Sequence, residues 1–233
     1  MKLDNNKDHH QITQTNTLIE ACYRLTLEEK RLLLAAISTL DPRLPIPKEI
    51  TVTAADYASI YGLKIQAGYQ QLKDASDKLY EQDIRFKTGG YVGRQRWLDR
   101  IIYRKGKGDV KLSFSVHLHA HLSELTGNFT SYTLANIKPF KSIYSIRLFE
   151  LISQYRSKGS RFISITDFRD MLDLNEKYPL YADLRKSVIE PSVKEINQKS
   201  NLELSFSPEK QGRKIIKLWF YFKEKPQISL GLE

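Results

Sequence analysis

The chain has 233 residues, 41% apolar and 27% charged, enough for one or two packed domains with an ordinary charged surface. A single cysteine, Cys22, excludes an intramolecular disulfide and a cysteine-cluster metal site, and is read as a buried structural thiol. The longest purely apolar run, residues 32–37, is far too short to span a bilayer, and the polar N-terminus lacks the apolar core of a signal peptide, so a cytoplasmic location is expected. The formal net charge of +10 is shared by both halves: 19 Lys/Arg against 15 Asp/Glu in residues 1–125, and 18 against 12 in residues 126–233. That distribution suits a polyanion touched by both halves; the bland alternative is solubility alone.

Residues 1–15 are polar and expected to be disordered. Thr26 and Glu29 form a capping box, followed by Leu33, Ala36, Ile37 and Leu40 at helical spacing. Asp41-Pro42 and the prolines at 45 and 47 stop that helix. Ile50 and Val52 alternate with Thr51 and Thr53 as a strand, and Thr53 with Asp56 caps a helix that runs to Gly62. Gly68 opens another helix, with Tyr69, Leu72, Ser76 and Leu79 on one face. Ile84 and Phe86 restart strand. Residues 96–104 and 110–116 are strand-like runs joined by a Gly-rich turn, a hairpin that would be a wing. Residues 117–140 read as a short helix and a connection, with Gly127, Asn128, Asn136 and Pro139 marking a boundary.

A second unit starts near Lys141, with a long core helix carrying Ile143, Ile146, Leu148, Phe149, Ile152 and Tyr155. A strand at residues 162–165 follows, then a helix capped by Thr166. The longest polar-faced helix spans residues 181–200, with Leu184, Val188, Ser192 and Ile196 as its core stripe. Pro191 inside it predicts either a kink or a helix held by tertiary packing, because an internal proline costs about 3 kcal/mol. Residues 202–206 and 214–222 form a closing hairpin turned at Gln211-Gly212-Arg213.

Residues 50–63 (ITVTAADYASIYGL) and 163–174 (ISITDFRDMLDL) are thus two copies of one pattern, each a strand and a helix set between longer helices and a basic, aromatic hairpin. The fold class this predicts is α+β: two tandem winged-helix domains related by internal duplication. The expected boundaries are a disordered tail 1–15, a first domain 16–126, a linker 127–140, a second domain 141–225 and a tail 226–233.

Such a fold in a basic protein points to duplex DNA. The second helix of a helix-turn-helix enters the major groove with its N-terminal residues at base edges. Here that helix begins near Tyr181, and Asp183, Arg185 and Lys186 lie on or beside its polar flank. Arginine suits bidentate contact with guanine, worth ~1–3 kcal/mol of discrimination. Lys194 and Asn197 are expected to reach phosphates, and Lys210, Arg213 and Lys214 to form the wing. The matching helix of the first unit offers Gln70, Gln71, Lys73 and Lys78, but Asp74 and Asp77 make it less suited to base reading. The densest charge run is residues 84–107: Arg85, Lys87, Arg94, Arg96, Arg100, Arg104, Lys105 and Lys107 against Asp99 alone. Each of these faces has a plain alternative, a solvated surface.

Other chemistry is weaker. His117, His119 and His121 alternate, which on a strand would place three imidazoles together, and with Tyr155 they could be read as a rolling-circle nicking site. The run continues helically, however, and on a helix the three would not share a face. Gly106-Lys107-Gly108 lacks the spacing of a phosphate loop, and no serine-nucleophile elbow is present. No catalytic residue, metal or cofactor is expected.

The stretch YADLRKSVIEPSVKEINQKSNLELSFSPEKQGRKIIKLWFYF resembles the second winged helix of iteron-binding plasmid replication initiators. Glu195-Ile196-Asn197, the basic pair upstream, Pro191 and the turn Gly212-Arg213-Lys214 carry the match. The segments NTLIEACYRLTLEEKRLLLAAI and GYQQLKDASDKLYEQDI resemble the first winged helix, so the likeness covers residues 15–223. It implies a non-enzymatic protein that binds direct repeats (iterons) in an origin as a monomer, helps open the duplex and recruits the host initiator and helicase. It also implies a homodimer through the first domain, inactive in initiation, that represses its own gene at an operator inverted repeat. By position, Arg185 and Lys186 would read the major groove and residues 70–78 would touch the adjoining part of the repeat; Asp183 departs by placing a negative charge at the reading end. Two other readings stay open: a plain dimeric transcriptional repressor, and the metal-dependent nicking enzyme.

Overall fold

The computed structural model describes residues 10–88, 90–104 and 107–226. β1 (Gln11–Thr15) leads into α1 (Asn16–Glu20), whose Leu18 amide donates to Thr15 Oγ1 at 3.3 Å. α2 (Leu27–Ile37) begins on the expected capping box: the Glu29 amide donates to Thr26 Oγ1 at 3.3 Å and the Thr26 amide to Glu29 Oε2 at 2.8 Å. β2 (Ile50–Thr53) runs into α3 (Ala54–Tyr61), which ends where Gly62 takes a left-handed φ of 64°. α4 (Ile65–Tyr80) starts before Gly68 rather than at it. Gly68 is instead a close-approach site, since a Cβ there would lie 2.8 Å from the Ala58 Cβ on α3.

β3 (Asp83–Thr88) and β4 (Tyr91–Arg96) form a hairpin that the sequence showed only in its first strand. β5 (Leu98–Arg104) and β6 (Asp109–Phe114) form the expected first wing. α5 (His119–Leu122) and β7 (Phe129–Thr133) follow. The second unit runs α6 (Ile143–Ser153), β8 (Ser160–Ser164), α7 (Ile165–Met171), α8 (Tyr181–Leu184), α9 (Glu190–Lys199), β9 (Leu202–Gln211) and β10 (Lys214–Glu224).

The duplication is visible in topology and in single atoms. The sheets are ordered β2-β6-β5 and β8-β10-β9, each an isolated strand paired with the second strand of its wing. Thr53 caps α3 by accepting from the Asp56 amide at 3.0 Å, and Ser164 caps α7 by accepting from the Asp167 amide at 3.0 Å. Both hydroxyls also donate to those aspartates, at 2.7 Å. The cap is therefore Ser164, not Thr166, because Ile165 is already helical.

Two expected irregular segments are ordered together. Residues 11–15, placed in a disordered tail, pair antiparallel with residues 129–133, placed in a linker, from Gln11↔Thr133 to Thr15↔Phe129. Burial is the reason: Ile12, Thr13, Gln14, Thr130 and Tyr132 face the interior. The proline problem is also resolved. Residues Arg185–Ile189 form a π turn in which the Glu190 amide donates to the Arg185 carbonyl. The chain stays helical through this turn into α9, and the π register just ahead of Pro191 opens the backbone ladder where its missing N–H and ring must be accommodated.

One hydrophobic cluster runs through both units, from Ile12 to Phe222. At its centre α6 is buried on every side from Ser145 to Ser153. It therefore carries two charges into the core. Glu150 is fully buried and accepts from Gln14 Nε2 at 2.9 Å and Tyr132 Oη at 2.6 Å, with Lys30 Nζ at 2.8 Å and Arg147 Nη1 at 3.3 Å. Arg147 also donates to the carbonyls of Ala21 and Met171, each at 3.0 Å, and lies 3.9 Å from the Tyr23 ring centre. The Tyr23 hydroxyl accepts from both Arg147 and Lys30. These contacts tie α6 to the first unit and to α7 of the second.

Removing one partner from a buried ion cluster costs about 3–5 kcal/mol, because the remaining charges lose their compensation. Glu150→Ala is expected to lower stability by about that amount, read as a fall in the urea midpoint. Burial alone would raise the Glu150 carboxyl, but Lys30 and Arg147 outweigh it and hold it below its ordinary value. Its contribution is thus complete above the unfolded value of about 4.3 and is lost as pH falls through the lower folded value. Urea midpoints measured down the acid range should drop more steeply in the native protein than in Glu150→Gln; parallel curves would refute the assignment.

Candidate nucleic-acid interface

The candidate reading end of the second unit is built by the burial of Leu184, Val188, Ile189 and Ser192, which turns the opposite flank outward. Asp183, Arg185 and Lys186 are exposed there, as expected, and Lys194 is exposed further along α9. Tyr181, at the start of α8, is half-buried. The Arg185 guanidinium is held by Glu190, Nε to Oε1 at 2.7 Å, across the π turn. At the wing tip, Lys210, Arg213 and Lys214 are exposed around Gly212, whose φ of 61° allows the tight turn.

Asn197 is not a surface group aimed at phosphate. Its Nδ2 donates to the Leu204 carbonyl at 2.8 Å, and its Oδ1 accepts from the Leu204 amide at 2.7 Å. Both ends of the carboxamide are therefore engaged by β9. Glu195, two residues earlier, accepts from the Lys141 and Ser142 amides at 2.8 and 3.1 Å, ahead of α6. The sequence marked Glu195-Ile196-Asn197 as a motif but not its task, since partners in another element leave no local signal.

In the first unit, Gln70 donates to Asp74 at 2.8 Å, Gln71 is half-buried, and Lys73 and Lys78 are exposed. The Tyr103 hydroxyl donates to Asp77 Oδ1 at 2.7 Å, tying the wing strand β5 to α4.

The dense charge run proves largely paired. Arg85 pairs with Asp173 and Lys87 with Asp170, both across to the second unit, and Arg94 pairs with Asp83. Arg96 lies 3.3 Å from Asp83 and 3.4 Å from Glu81, Arg100 lies 3.8 Å from Glu49, and Arg104 donates to Asp109 at 2.7 Å. Counting along the sequence missed these carboxylates because they sit outside the window or far along the chain. Lys107 is exposed; Lys105 lies outside the described residues.

The histidine string does not form a shared face. His117 is in a short 3-10 turn, and His119 and His121 are on α5. His121 Nδ1 is 2.8 Å from Thr15 Oγ1, its ring stacks on Phe86 at 5.2 Å, and burial pushes its pKa down. Among the described residues no three His, Cys, Asp or Glu side chains are placed to hold a metal ion. Tyr155 packs against the core with the Arg161 guanidinium 4.8 Å from its ring. Cys22 is buried, which pushes its thiol pKa up. Among the described residues, no helix is long and apolar enough to cross a membrane.

Two winged helices in tandem, the second with exposed basic residues on its long helix and at its hairpin tip, define a protein of the winged-helix DNA-binding class. The chain belongs to the initiator replication protein family: the family model "Initiator Replication protein, WH1" matches residues 11–153, and "Initiator Rep protein, WH2" matches residues 164–222. Among curated relatives, a "Replication initiation protein" of Escherichia coli is 28% identical over 233 residues, covering 95% of this chain and 72% of that protein. An "Uncharacterized 27.6 kDa protein" of Escherichia coli is 28% identical over 218 residues, covering 87% of this chain and 91% of the relative. Among solved structures, the Pi initiator protein in complex with iteron DNA matches with a TM-score of 0.82 at 24% identity, over 94% of this chain and 99% of that one. At that identity the likeness speaks for the fold.

Arg185→Ala is expected to weaken binding to a specific site by ~1–3 kcal/mol while changing non-specific binding less, measured by titration against matched and scrambled duplexes. Equal losses on both would make Arg185 a phosphate contact.

Proposed function

We propose that this protein is a plasmid replication initiator that binds direct repeats in its origin as a monomer. The observation that carries this reading is the pairing of two matched family domains with a fold that follows an iteron-bound initiator along nearly the whole of both chains. The N-terminal end of the second unit's long helix, around Arg185 and Lys186, reads the major groove. The wing at Arg213 and Lys214 takes the neighbouring backbone. The first unit's α4, through Lys73 and Lys78, touches the adjoining part of the repeat. Binding at adjacent repeats strains the duplex toward opening and gathers the host initiator and helicase in the cytoplasm. No chemical step is assigned to the protein itself.

At higher concentration the protein dimerises through the first unit and represses its own gene at an inverted repeat. The outer edge of β4 supports this, with Tyr91 and Val92 strongly exposed on a strand paired on one side, to β3. The test is binding to duplex carrying the repeats of the protein's own replicon, against a scrambled duplex, at ~0.15 M salt. One protein added per direct repeat is the expected result. Equal, salt-sensitive binding to both duplexes would overturn the reading, and preference for a single palindrome would favour the plain repressor.

A further inference from the structure

The wing of the second unit extends from a three-stranded sheet, in which β10 pairs with β8 over residues 217–221 and with β9 along most of its length. From Leu204 to the tip at Gln211, β9 spans roughly 23 Å at about 3.3 Å per residue. A rotation of the whole sheet by about 5° about the Leu204 end therefore displaces the tip by about 2 Å, well beyond the roughly 0.5 Å tolerance of a positioned contact. β9 is also the edge strand of its sheet, so its outward backbone groups have no neighbouring strand. At Leu204 one side chain supplies what a strand would: the Asn197 carboxamide meets both the amide and the carbonyl, at 2.7 and 2.8 Å. The other wing strand is tied to the same helix end. Past the end of β10, Lys225 donates through Nζ to the Asn197 and Ser200 carbonyls, and its amide donates to the Asn201 carbonyl at 2.8 Å. On its opposite side, α9 is fixed to the chain leading into α6 through Glu195.

We propose that Asn197 is a positioning residue that sets the angle between the reading helix and the wing, so that both engage one stretch of duplex together. The inference rests on the DNA-reading role given above to the second unit. Asn197 touches no DNA. Its carboxamide keeps the β9 edge of the sheet in register with α9, and the wing cations Arg213 and Lys214 fall on phosphate only while that register holds. The reading helix and the wing are thereby coupled through a residue that belongs to neither contact surface.

The test is a double-mutant cycle with salt titration, run on repeat-bearing and scrambled duplexes. In the unaltered background, Arg213→Ala with Lys214→Ala removes two phosphate contacts and flattens the log–log salt slope by about 1.8. Asn197→Ala is expected to flatten the slope to a similar degree and to weaken repeat binding about tenfold. Adding the wing substitutions to Asn197→Ala should then change affinity less than about twofold. Additive losses with an unchanged slope for Asn197→Ala would overturn the proposal, since a direct neutral contact or a general loss of stability would behave that way. Should Asn197→Ala fail to fold, Asn197→Gln carries the same test. It leaves the charge unchanged, so the salt slope still reports the wing, and its extra methylene moves the carboxamide off the Leu204 backbone. The salt slope is read on both duplexes, so absence of repeat preference in the unaltered protein would remove the functional reading while the coupling is still decided.

Discussion

A single buried carboxylate, Glu150, is the constraint on which the arrangement of the two winged helices depends. A charge in an apolar interior is tolerated only when every lone pair finds a partner. Glu150 finds them in Gln14 of β1, Lys30 of α2, Arg147 of its own helix and Tyr132 of β7. Arg147 extends the network to the Ala21 carbonyl in the first unit and the Met171 carbonyl in the second. Two cations against one carboxylate would leave positive charge unbalanced. The Tyr23 hydroxyl, which accepts from both, and its ring face beneath Arg147 supply the missing negative potential. The network accounts for why a ribbon from the far N-terminus is ordered against residues 129–133.

The consequence for function is geometric. The two winged helices are carried on one continuous core, so their separation is set by packing rather than by a linker. The outer seam differs in kind. Arg85 with Asp173 and Lys87 with Asp170 join the units at the surface, where water and salt screen them. The run of basic residues at 84–107 thus serves the seam and the first sheet. Among the described residues, Lys186, Lys210, Arg213 and Lys214 of the second unit and Lys73 and Lys78 of α4 are exposed, while Arg185 is paired with Glu190.

Legibility in the sequence followed the range of the interaction. The capping box at Thr26 and Glu29, the turn at Gly62 and the repeated strand–helix pattern were plain, because each is decided within a few residues. The ribbon of β1 with β7 was not, since Gln14 and Tyr132 are 118 positions apart and neither segment alternates strongly. Asn197 was assigned to phosphate on the strength of its helix face, whereas its partner is a strand backbone reached only after the chain turns. Arg85 and Lys87 were counted as free charge for the same reason. Pro191 marked either a kink or a helix held by packing, and the helix continues past it by way of the π turn at residues 185–189.

The most direct test of the account is hydroxyl-radical footprinting on a duplex carrying one repeat, across a protein titration. Two units fixed on one core should protect two adjacent segments of the repeat, both appearing at the same protein concentration. Protection of one segment only, or of two segments at separate concentrations, would contradict the claim that the tandem winged helices read DNA as a single body.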